Sequence, residues 1–382
     1  MLNISLLQTT VVAHLLALVC FSSSAEALDD LLQYVFVVSK GSSEVVVVDT
    51  DIDAVVERIQ LSSVPNEVVL SEESRKMLSS NLTDRTVTIT SLDSLEQEAV
   101  IKLNFSPSRM RLGTAGRLLV AGNSDAGVIS IIDLEAGQEI HRVEGLEKPD
   151  YFIFGRDERL LYVASSNGAG LVVVDVSSGE VRKEIPLVRT NSGKDESALV
   201  TALARTPGGQ LGFVLHKGEA AMDVVDLREN KQIKSVDLSG SVGRVYPSAN
   251  NQYLIIPDND SGEISVFSTW SLRKLGAVQG APDVASVSIA LFDSVAFVVS
   301  RKRNSVVAFS ITERNRLADI PLQGRPVDSV VSVNGLKIYV ALGSSGKLAV
   351  IDAITLEVVS MIDNIGDQPV DVITVRDLSY CH

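Results

Sequence analysis

The chain has 382 residues and a formal net charge of −14. That length suffices for one large domain with a substantial core, and the acidic balance argues against nucleic acid or an anionic membrane as partner of the bulk surface. Beyond the N-terminal segment no run reaches the ~20 apolar residues that a membrane helix needs, so no membrane insertion of the mature chain is expected.

Residues 1–27 read as a secretory signal peptide. An apolar run from Val11 to Phe21 precedes Ser22-Ser23-Ser24-Ala25-Glu26-Ala27, whose small residues suit signal peptidase. The mature chain is expected to start near Leu28 and to be secreted or periplasmic. Cys20 follows Val19, where lipidation needs a small residue. Once Cys20 is removed, Cys381 stands alone, which excludes an intrachain disulfide. Cys381-His382 also lacks the second cysteine of a haem attachment motif, because Leu378 occupies that place.

Residues 28–382 read as one domain built on a repeat. Near-copies of Val45-Val46-Val47-Val48-Asp49 end at Asp49, Ser91, Asp133, Asp175, Asp226, Ser268, Ser310 and Asp352, at intervals of 42 residues except for one of 51. A period in the forties carried by short β-branched runs between Gly, Ser, Asn and Asp predicts β-propeller blades, one four-stranded sheet per repeat. A second strand lies thirteen residues before each end point: FVVS from Phe36, LSSN from Leu78, VAGN from Val120, YVAS from Tyr162, FVLH from Phe213, IIPD from Ile255, FVVS from Phe297 and YVAL from Tyr339. Prolines at Pro65, Pro107, Pro149 and Pro326, with Pro282 and Pro369 slightly displaced, mark loops feeding the innermost strands. Eight second strands and eight inner strands predict an all-β, eight-bladed propeller of four-stranded antiparallel blades. The first repeat starts at its second strand, so the last inner strand, near Val370 to Val375, is expected to complete blade one and close the ring.

The longer interval places an insertion at residues 189–197, expected as a polar surface loop. It lies on the face where the loops into the inner strands gather, which is the default binding face. His216 ends FVLH on that face. There it is a ligand to a metal or haem or a proton shuttle, or a strand terminator like its counterparts Ser39, Asn81, Asn123, Ser165, Asp258 and Ser300. In register, the inner strands begin at Glu67, Arg109, Tyr151, Ala202, Arg244, Ser286, Asp328 and Val370. These are expected to ring the channel mouth, either clasping an anionic or zwitterionic ligand or neutralising one another. Arg301-Lys302-Arg303 falls in a loop on the same face. Asp258-Asn259-Asp260 lacks the downstream acid of a calcium loop, and no phosphate loop, His-Glu-x-x-His run, cysteine cluster or nucleophile elbow occurs.

Through its tetrads, its strands ending in Ile-Asp or Val-Asp, and the strands after them such as VVERIQL from Val55 and RLADIPL from Arg316, the chain resembles the Tyr-Val-Thr-Asn repeat propellers. No copy here holds the full tetrad. The resemblance implies a non-catalytic scaffold, without cofactor, that binds a protein, glycan or small ligand and acts as a monomer. Eight blades also resemble the haem domain of cytochrome-type nitrite reductase and its maturation protein. That likeness implies a haem-type tetrapyrrole as cofactor or an oxidoreductase role, with His216 as iron ligand and Arg109 and Arg244 meeting haem carboxylates. Quinoprotein dehydrogenases resemble the chain in fold alone.

Overall fold

A computed structural model describes residues 28–166, 170–188, 200–216 and 220–375. The signal segment and the insertion at 189–197 lie outside these residues. Eight four-stranded antiparallel sheets form the ring, as the repeat count predicts. In blade 1 the inner strand Pro369–Ile373 pairs with Tyr34–Ser39, which pairs with Glu44–Asp49 and then Ala54–Gln60. Blades 2 to 8 each use four consecutive strands, with inner strands Glu67–Ser71, Arg109–Leu112, Pro149–Phe154, Val200–Arg205, Tyr246–Pro247, Val284–Ala290 and Pro326–Val331. Prolines at 149, 326 and 369 thus open their strands rather than precede them.

The ring has no central core. Eight apolar clusters lie between neighbouring blades, one at each of the eight interfaces. This explains the valine run that founds the repeat: Val45 and Val47 face blade 2, while Val46 and Val48 face blade 8. A strand covered on both faces has no polar side, hence its unbroken apolar run.

The Asp or Ser that ends every third strand is turn chemistry. The Asp49 carboxylate accepts the backbone NH groups of Asp51 and Ile52, and Asp133, Asp175, Asp226 and Asp352 do the same two and three residues on. Ser91, Ser268 and Ser310 accept through their hydroxyls. Four residues past each lies a left-handed residue: Asp53, Leu95, Gly137, Gly179, Asn230, Leu272, Arg314 and Leu356. The outer strand of all eight blades then pairs through a bulge at one register position. The motif is a side-chain-capped turn feeding a bulge, so its spacing survives where the strands between diverge.

The tetrad tyrosines tie blades together. Tyr162 Oη donates to Leu227 O at 2.6 Å and to Asn230 Oδ1 at 2.8 Å, both in the next blade. Tyr339 Oη reaches Asp53 Oδ1 at 2.6 Å across the junction of blades 8 and 1, where Lys337 Nζ also meets Asp53 Oδ2 at 2.9 Å. Burial pushes the Tyr162 hydroxyl up to about 12 and raises that of Tyr339, so both remain donors.

Candidate functional site: the channel mouth

Loops leaving second strands meet loops leading into inner strands on one face, as anticipated. Backbone NH groups of Lys40, Ser166, Asn259, Arg301 and Gly343 bond to Gln368, Lys148, Ser241, Asp283 and Arg325 respectively. The residue that ends the second strand fastens the same junction. Asn81 Nδ2 donates to Val64 O, Asn123 Nδ2 to Ser106 O, Ser300 Oγ to Pro282 O and Ser39 Oγ to Ile365 O, while Asp258 Oδ1 accepts from Ser241 N.

His216 occupies the corresponding position in blade 5, and its setting differs from that expected of a residue on the binding face. It is 0% exposed, its Nε2 lies 2.9 Å from the Asp223 carboxylate, and it is absent from the channel wall. Asp223 is equally buried and also accepts Gln232 Nε2 at 2.9 Å.

Within the ring a cavity of 980 Å³ runs from the loop-rich face along the channel. Glu67, Arg109, Arg244, Ser286, Asp328 and Val370 line it, as their register predicts. Tyr151 and Ala202 do not. In blade 4, Asp150 takes the wall position beside a bulge between Pro149 and Tyr151, and the apolar Tyr151 packs into the cluster between blades 4 and 5. The apolar Ala202 is likewise buried in the cluster between blades 5 and 6, behind a similar bulge, whereas Ser286 and Asp328 line the cavity although their strands carry the same bulge. Arg244 lines the cavity from just before its strand, because the inner strand of blade 6 is reduced to Tyr246–Pro247. Of the basic cluster, Arg301 lines the cavity and pairs with Asp283 at 2.8 Å, whereas Arg303 turns to Asp319. Lys148, Asp293 and Asp371 are wall residues that the register argument missed. They sit outside the repeated first position, and only their charge in loop or bulge context marked them.

Several wall acids stitch blades together. Glu67 Oε2 accepts the Met110 NH of the next blade at 2.6 Å, and Asp328 Oδ2 accepts that of Val372 at 3.1 Å. The Asp293 carboxylate takes the NH groups of Ala249 and Asn250 at 3.1 and 2.7 Å. Burial lifts the Glu67 carboxyl from 4.5 to about 7, and Asp371 adds to the rise; the Met110 NH, Arg109 and Arg111 oppose it. The folded protein therefore holds this proton where the unfolded chain has lost it. Stability should fall as pH rises through the window from 4.5 to 7 and level off above it. Glu67→Gln, which can still accept the Met110 NH, is expected to flatten that slope when unfolding midpoints at about pH 5 and about pH 8 are compared. An unchanged slope would assign the pH dependence elsewhere.

Among the described residues no group of three potential metal ligands occurs and no helix is long and apolar enough to cross a membrane. No family model and no curated protein matches the chain. Solved structures do. The dihydro-heme d1 dehydrogenase NirN in complex with DHE superposes with a TM-score of 0.76 at 15% identity, covering 91% of this chain and 76% of that one. Kuenenia stuttgartiensis hydrazine synthase gives 0.55 at 14% identity, over 76% of this chain and 95% of that one. The Cps50 (Swd1) β-propeller domain of Myceliophteria thermophila gives 0.58 at 12%, over 76% and 97%. At these identities the likeness is one of fold.

Proposed function

We propose that the chain is a non-catalytic binding propeller of the Tyr-Val-Thr-Asn repeat kind that takes a small anionic or zwitterionic ligand into the channel mouth. The observation that carries this reading is the mixed charge of the cavity wall: Arg109, Lys148 and Arg244 bring positive charge to a 980 Å³ space also lined by acids, of which Glu67, Asp328 and Asp293 have their carboxylates on backbone NH groups of adjacent blades. A cavity of this size suits a small molecule, and guanidinium groups suit carboxylate or phosphate.

A second reading is favoured by NirN, the tetrapyrrole-related protein whose fold superposes over most of this chain. A tetrapyrrole's carboxylates would find Arg109 and Arg244. Its iron would find no imidazole, thiolate or thioether on the described wall, because His216 is buried against Asp223. The described wall thus offers partners for such a ligand's carboxylates and, for its metal, the Tyr246 phenol but no imidazole or sulfur ligand.

Titration with haem, with iron-free protoporphyrin and with a panel of dicarboxylates and phosphate esters separates the two, read by visible absorbance and calorimetry. Binding of any of them that weakens at least tenfold in Arg109→Gln/Arg244→Gln supports the channel as the site. Binding of haem alone, abolished in His216→Ala with the fold intact, would favour iron ligation. No binding in any arm, or equal binding in the double variant, rejects the proposal.

A further inference from the structure

The face opposite the loop-rich one is formed by the hairpin turns between inner and second strands and between third and outer strands, and its exposed residues are unevenly distributed. In blades 2 to 5 the tips of the capped turns are Asp93, Glu135, Ser177 and Arg228, all exposed. In blades 6 and 8 the corresponding tips carry Trp270 and Ile354, exposed by 87% and 67%, and in blade 1 Ile52, the residue after the tip Asp51, is exposed by 66%. The inner hairpins add Phe292 of blade 7, at 98%, and Leu336 of blade 8. Five large apolar side chains thus project from four successive blades. Their turns are physically joined. Thr269 N bonds to Gln252 O, Asp293 to Ala249 and Asn250, Leu291 N to Gly335 O, Ala353 N to Leu336 O, and Lys337 Nζ to Thr50 O.

The backbone under Phe292 supplies an independent observation. Leu291, Phe292 and Asp293 have φ of 51°, 55° and 63°. Three consecutive non-glycine residues in the left-handed region cost roughly 1–2 kcal/mol each, and nothing in the packing of Phe292 offsets it. The Asp293 clamp onto blade 6 holds the turn in this form. Strain kept at an exposed aromatic points to a use outside the fold.

We propose that this face rests on an electrically neutral lipid surface, with Trp270 and Phe292 inserted among the headgroups and the loop-rich face turned toward solution. Two observations favour lipid over a second protein. The apolar groups stand on separate tips with polar residues such as Asn250, Glu313 and Asn334 between them, and a fluid interface accepts such discontinuous groups where a rigid partner would need a matched pocket for each. Aromatic side chains are favoured at the boundary between headgroups and acyl chains. The net charge of −14 selects zwitterionic over anionic lipid.

Trp270 is the only tryptophan in the sequence and reports directly on the contact. The chain from Leu28 onward, which contains every strand of the ring, is mixed with phosphatidylcholine vesicles and followed by co-sedimentation and by emission. Co-sedimentation, a blue shift of the Trp270 emission and quenching by brominated lipid are expected. Phe292→Ser/Ile354→Ser should weaken sedimentation about tenfold while leaving circular dichroism unchanged, and Arg109→Gln/Arg244→Gln should leave it unaltered. The proposal is overturned if neither sedimentation nor shift occurs, or if the apolar double variant sediments as wild type does. A shift that follows protein concentration without vesicles would overturn it in favour of a second copy.

Discussion

Truncation after Gly366 is expected to abolish cooperative folding, whereas loss of an ordinary C-terminal tail would be nearly silent. The deleted segment contains Pro369–Ile373, the inner strand of blade 1, which pairs with Phe36 to Ser39. Val372 lies in the cluster between blades 8 and 1, and Ile373 and Val375 lie in the cluster between blades 1 and 2. Burying three such side chains stabilises by roughly 1.5–3 kcal/mol each. Their joint loss is comparable to the whole stability of a typical domain, about 5–15 kcal/mol. The truncation also removes the Val372 NH that Asp328 accepts and bares Tyr34–Ser39 as an apolar edge. Solubility on expression and the denaturant unfolding curve check this; a truncated chain that unfolds in one transition near the wild-type midpoint would refute strand-sealed closure.

His216→Ala is expected to destabilise the fold by about 3–5 kcal/mol, as breaking one side of a buried pair does. The substitution removes the imidazole 2.9 Å from the Asp223 carboxylate, which is 0% exposed and also accepts Gln232 Nε2. Replacing both members by Leu should recover much of the loss, because a well-packed apolar pair avoids the desolvation of a buried carboxylate. Guanidinium unfolding of the two single variants and the double variant forms a cycle that isolates the coupling. A near-neutral His216→Ala would mean that the imidazole does no structural work and would return it to consideration as a ligand.

The blade count, the closure and the loop-rich face were legible because they rest on turn chemistry. Asp or Ser at each third-strand end must accept two following NH groups or one, and the spacing of that requirement is visible without knowing any partner. The channel wall was legible only in part. Register placed Glu67 and Arg109, whose inner strands pair without a shift, and also Ser286 and Asp328, whose inner strands carry a bulge. Where the strand's first residue is apolar, as at Tyr151 and Ala202, it is taken into the inter-blade cluster instead, which register alone does not reveal. His216 was read by analogy with exposed-face terminators. The overlooked signal was Asp223, a carboxylate at a third-strand position where the other blades carry Val46, Thr88, Ser130, Val172, Ser265, Val307 and Ala349. A charge set among apolar and hydroxyl residues calls for a partner, and histidine nearby was the one available.

The pairing of Ser39 with Pro369 sets a timetable for biosynthesis. Seven blades consist of neighbouring segments and can form as the polypeptide emerges, but the sheet holding Tyr34–Ser39 waits until Pro369–Ile373 has been made. Until then Tyr34–Ser39 offers an incomplete ladder, and its closing contact bridges all seven other blades, the kind of long-range step that slows folding and exposes an edge to aggregation.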